Sequence, residues 1–146
     1  MRKIVVVLIA LMLTACSSLI TPRPAQSEYF TTLGGGFMMT LGNQPSKTYG
    51  VNLQVKKPLP AHSYAVIEFE NPANKTLPYI TEGSIEDIQN TFAARFKNVF
   101  VLTSPHVHGV RPHTNYVITV SIYADESKQV LLTRHQQGVS SSYVSD

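Results

Sequence analysis

The sequence predicts a mainly β fold, a small antiparallel β-sandwich with one inserted helix, in a single domain. Three observations predict it. Five or six short strand candidates recur at roughly 10 to 15 residue spacing, the rhythm of a sandwich rather than of a parallel α/β sheet. Only Ser84 to Lys97 carries a helical period. The cleanest alternation in the chain, Tyr116, Ile118, Val120 and Ile122 against Val117, Thr119, Ser121 and Tyr123, follows a loop punctuated by Gly109 and Pro112. The alternative is an α+β arrangement with the helix packed on one antiparallel sheet.

Composition agrees with one folded unit. The chain has 146 residues, 43% hydrophobic and 14% charged, enough apolar matter for a core. Its formal charge of +3 overstates the basicity of the folded part. Without Arg2 and Lys3, ten cations face nine acids, a net of +1. Nucleic-acid binding needs clustered Lys and Arg, so that class is excluded.

The N-terminus reads as a targeting signal. Met1-Arg2-Lys3 precedes nine apolar residues, Ile4 to Met12. A bilayer core takes about 20 residues to cross, so this run has the length of a secretory signal and not of a span. Leu13-Thr14-Ala15-Cys16 then resembles the lipobox of bacterial lipoproteins, with the chain's only cysteine where that motif requires it. The resemblance implies cleavage before Cys16 and lipid attachment to it. It also implies, through Ser17, residence at the outer membrane facing the periplasm. The expected organisation is a signal peptide over 1–15, a lipidated tether over 16–28, one β-rich domain over 29–138 and a flexible tail over 139–146.

Along the mature chain, Tyr29 to Gly50 is ambiguous. Gly34-Gly35-Gly36 lacks the following helix and Lys of a phosphate loop, and predicts a bend, bulge or flexible turn. Val51, Leu53 and Val55 alternate with polar residues until Pro58. Ala65, Ile67 and Phe69 share one face of the next strand, and Val66, Glu68 and Glu70 the other. Leu77 to Thr81 fits a short edge strand, with Pro78 tolerated at the edge. Ser84 and Asp87 form a capping-box pattern, and Ile85, Ile88, Phe92, Ala93 and Phe96 form the stripe that packs on the sheet. Val99 to Thr103 is the next strand. Beyond Tyr123, Asp125-Glu126-Ser127 turns the chain and Gln129 to Gln136 returns as a hairpin partner.

The run Val110-Arg111-Pro112-His113-Thr114-Asn115-Tyr116-Val117-Ile118-Thr119-Val120 resembles the approach to the sixth strand of fibronectin type III domains. That resemblance implies a tyrosine corner at Tyr116, with Pro112 and Gly109 shaping the loop before it. The chain has no Trp, so the usual core Trp of that family is missing, and the helix is an insertion relative to it.

The chemistry-bearing residues are few. His106 and His108 stand two apart, a spacing that puts both on one side of an extended segment, and His113 or His135 offers a third metal ligand. Asp87 and Asp125 are the nearest acids, too distant in sequence to orient those rings. Solvated loop histidines are the reading adopted, and no cofactor is expected. Glu68 and Glu70 read as a solubilising face rather than a glycosidase pair. No strained Gly-x-Ser-x-Gly elbow is present, so no catalytic residue is assigned. The function expected is therefore that of a lipid-anchored envelope protein, not an enzyme. It binds or scaffolds an envelope protein partner, with Tyr79, Tyr123 and Tyr143 as surface aromatics. A periplasmic ligand or metal binder using the 106–113 loop is the alternative, and a hydrolase with an unrecognised site is the weaker one.

Overall fold

The computed structural model describes residues 23–91 and 98–144. The lipobox-like segment with Cys16, and the expected second half of the helix with Phe92, Ala93 and Phe96, lie outside the described residues.

Seven strands and one helix follow one another as β1 (Phe30–Thr40), β2 (Ser46–Val55), β3 (Tyr64–Phe69), β4 (Tyr79–Ser84), α1 (Ile85–Thr91), β5 (Val99–Thr103), β6 (Asn115–Tyr123) and β7 (Leu131–Ser140). They form two antiparallel sheets, ordered β1-β2-β5 and β4-β3-β6-β7. The chain crosses between sheets from β2 to β3, from β4 to β5 and from β5 to β6. This is an immunoglobulin and fibronectin type III-like sandwich, mainly β, with α1 inserted in the β4–β5 crossover.

Alternation builds the core. Tyr49, Val51 and Leu53 of β2 face Ala65, Ile67 and Phe69 of β3 and Tyr116, Ile118, Val120 and Ile122 of β6, all buried. Successive side chains on a strand point to opposite faces, so each strand commits one face inward. Phe100 and Leu102 do the same from β5. Phe37 stacks on Tyr49 at 5.2 Å between ring centroids, and Tyr49 meets the edge of Phe69 at 6.0 Å.

The helix start is capped from both directions. Asp87 N donates to Ser84 Oγ at 3.1 Å, while Ser84 Oγ donates to Asp87 Oδ2 at 2.8 Å. Ile88 is its buried residue. On the β6–β7 turn, Asp125 Oδ1 accepts from Ser127 N at 2.9 Å, an Asx turn that reverses the chain.

Four boundaries differ from the sequence expectation, each for a physical reason. Of the bend, bulge or flexible turn expected at the glycine run, the structure has the bulge, between Thr32 and Gly34, but the run continues inside β1, paired to β2, and does not end a strand. Gly35 must be glycine there, because a Cβ would sit 2.8 Å from Gly50 O. The fourth strand is Tyr79–Ser84 rather than 77–81, since its register follows β3 from Phe69↔Tyr79 to Tyr64↔Ser84. The tether expected over 16–28 is docked by Ala25, where Gln136 N donates to Ala25 O at 2.8 Å. The tail expected from 139 is structured: β7 runs to Ser140, and Val139 and Ser141 are buried.

Candidate functional site

Two polar constructions stand out on this scaffold. The first is the corner before β6. Ser104 is buried, its N–H donating to Tyr49 O at 2.8 Å and its Oγ accepting from Tyr49 N at 3.0 Å. Val107 is buried too and bridges to Lys47 of β2. Because Val107 points inward, its neighbours His106 and His108 are both turned to solvent. Gly109 has φ +74°, with the Ala73 backbone 3.1 Å from where a Cβ would stand. That backbone angle and that gap both require glycine.

The corner closes on Tyr116. Its ring is buried, and Arg111 N donates to its hydroxyl at 2.9 Å, five residues upstream. This is the geometry of a tyrosine corner. Pro112 and His113 make the turn, with His113 at φ 52° and exposed. Ser141 locks the outside: its Oγ accepts from Thr114 N at 3.0 Å and donates to Arg111 O, and its own N–H donates to Thr114 O at 2.9 Å. Nothing in the sequence reading pointed to Ser141. A serine in a polar tail carries no periodic signal, and only the neighbouring Val139 hinted that the strand continues.

The second construction joins the N-terminal segment to β7. His135 is 2% exposed. Its Nδ1 accepts from Ser27 N at 3.1 Å, and its Nε2 stands 2.8 Å from Thr32 Oγ1. An acceptor at Nδ1 fixes the neutral ring with its proton on Nε2, directed at the threonine oxygen. Burial, and secondarily the charge of Lys56, hold the ring's pKa below the usual imidazole value. Thr133 Oγ1 donates to Ser27 Oγ at 2.7 Å, and Ala25 N donates to Gln136 Oε1 at 3.1 Å. Ala25 to Ser27 therefore form a strap over the outer edge of β7.

The remaining candidates are dispersed. Glu70 Oε2 accepts from Val117 N at 3.0 Å and Oε1 lies 3.4 Å from Lys75 Nζ, so this carboxylate ties β3 to β6 and does not pair with Glu68. Tyr49 donates its hydroxyl to Glu70 O; burial above all, then the Glu70 charge, raises its pKa. Tyr79 and Tyr123 lie at opposite ends of β3, opposite Phe69 and Tyr64, and Tyr143 stands alone in the C-terminal turn. The three tyrosines do not form one surface. The large exposed apolar side chains include Met38, Met39 and Leu41, near and at the β1–β2 turn.

Among the described residues, no three His, Cys, Asp or Glu side chains gather as a metal site, and His106, His108 and His113 are not brought together with His135. No helix among them is long and apolar enough to cross a membrane. Every buried side-chain polar atom among them has a hydrogen-bond partner. Fold and corner together define an antiparallel β-sandwich domain. No family model, curated protein or solved structure matches the chain.

Proposed function

We propose that this chain is a lipid-anchored protein of the bacterial cell envelope whose sandwich domain acts as a binding or scaffolding module, accessory to an envelope complex. One observation carries the reading: Leu13-Thr14-Ala15-Cys16, following an apolar run of signal length, with no other cysteine in the chain. The emergence of the chain supports it. Arg23 and Pro24, the first described residues, are exposed, as the root of a tether must be.

Acyl chains make such an anchor durable. Each buried CH₂ contributes about 0.8 kcal/mol and two or more chains hold stably where one does not. The partners implied are the membrane, through Cys16, and an envelope protein. Radiolabelled palmitate tests the anchor: it enters the wild type and is absent from Cys16→Ala. Incorporation into the variant would sink the reading. In-cell crosslinking of the anchored protein tests the module, which fails if nothing is recovered above an unrelated tethered control.

A further inference from the structure

The far end of the β1–β2 hairpin exposes three large apolar side chains beside the polar turn Asn43-Gln44-Pro45-Ser46. Met38 and Met39 are each 53% exposed and Leu41 86%. Consecutive residues Met38 and Met39 project to opposite faces of the strand, and Leu41 follows Thr40, which pairs with Ser46 to close the hairpin. No Asp or Glu occurs between Glu28 and Glu68, and Lys47 stands near the turn. A tip without acidic residues meets no charge repulsion at an anionic lipid surface.

The strap gives the tip a direction. Ala25 bonds Gln136 and Ser27 bonds Thr133, so the strap runs antiparallel to β7. Thr32 meets His135 and Gly35 approaches Val139, so β1 runs in the same sense as β7. Read backward from Ser27, the chain therefore heads the way β1 travels, toward the hairpin tip. From Leu33, the level of Ala25, β1 advances about 26 Å to Leu41 at ~3.3 Å per residue. The chain from Cys16 to Ala25 spans at most about 30 Å when extended. The tether is thus long enough to bring Cys16 level with Leu41.

We infer that Met38, Met39 and Leu41 seat in the same lipid surface that holds acylated Cys16, so that the domain is docked to the bilayer at two points. This rests on the lipid-anchor reading. The turn between β6 and β7, at the opposite end of the sandwich, then faces away from the membrane. Apolar side chains that enter the boundary between head groups and acyl chains add membrane affinity in proportion to the area they bury.

The test uses the full acylated chain reconstituted in phosphatidylethanolamine–phosphatidylglycerol vesicles. A nitrobenzoxadiazole dye is placed at Leu41→Cys or, as the distal control, at Ser127→Cys; acylated Cys16 does not take the label. The expected result is a blue-shifted emission at position 41 that nitroxide lipids quench several-fold more than at position 127. Flotation with the vesicles while both dyes report water would overturn the docking and leave the anchor standing. A chain without acyl mass that stays in solution would remove the anchor, and this inference with it. A shift at position 41 only on adding envelope extract, not with lipid alone, would make the tip a protein-docking surface and equally overturn it.

Discussion

His135 and the group His106, His108 and His113 are the same side chain in opposite surroundings. The ring of His135 is enclosed, accepts from one backbone N–H, and faces a threonine hydroxyl. The three loop rings are exposed. The loop they occupy is shaped instead by Gly109, Val107, Tyr116 and Ser141. Spacing drew attention to the loop histidines, yet enclosure decides which histidine the fold depends on. A ring in water is exchangeable, whereas an enclosed ring with both nitrogens engaged is not.

The largest effect expected from this contrast is at His135→Ala. It removes an enclosed ring and leaves Ser27 N–H without its acceptor, a loss of about 2 to 4 kcal/mol. Urea unfolding measures it, and amide exchange at Ser27 and Gln136 accelerates as the strap loosens. Equal stability in variant and wild type would erase the comparison. A pH arm sharpens it. The folded pKa of His135 lies below the unfolded value, so the folded state resists protonation. Its contribution is fully present above the unfolded value near 6.5, declines as pH falls through that value, and is gone below the lowered folded value. Lys56 adds to the effect; Glu28 is paired to Lys57 at 2.7 Å, and Arg134 is directed to Ser121 on the other face. Unfolding curves from pH 8 to 4 show this acid slope in the wild type and a shallower one in His135→Gln.

Gly109→Ala comes next, at about 1 to 3 kcal/mol, because it forces a side chain into a left-handed backbone angle against Ala73. Thermal unfolding reads it directly. Tyr116→Phe keeps the ring and removes only the hydroxyl that accepts from Arg111, about 1 kcal/mol by the same measurement. At the small end, His106→Ala combined with His108→Ala shifts stability by no more than about 0.5 kcal/mol. A stoichiometric metal lost from that double variant would reverse the ranking of the two histidine sites.

How much of this was legible depends on whether side chains carry the information. β3 and β6 were readable because Ala65, Ile67 and Phe69, and Tyr116, Ile118, Val120 and Ile122, alternate with more polar partners. The corner was readable because Pro112, Thr114 and Tyr116 each perform a local task. β1 was not, since three successive glycines have no side chain to alternate and its pairing is carried by backbone. β7 hid its role in a different way. Its inward row is Thr133, His135, Gln137 and Val139, mostly polar where a core strand is apolar. That polar row was the available signal for a polar partner, and the partner proved to be the strap. The end of the fold at Ser141 was hidden because a serine locked by hydrogen bonds looks, in sequence, like any other serine in a tail.

The strap also sets how the molecule responds to load. A pull on the N-terminus reaches Ala25, bonded to Gln136, before Ser27, bonded to His135 and Thr133, and reaches both before any strand. Each residue freed lengthens the leash by up to about 3.5 Å, so releasing 25–28 adds roughly 14 Å while both sheets stay intact. Slack of that kind comes from the strap alone, at the cost of uncovering the edge of β7.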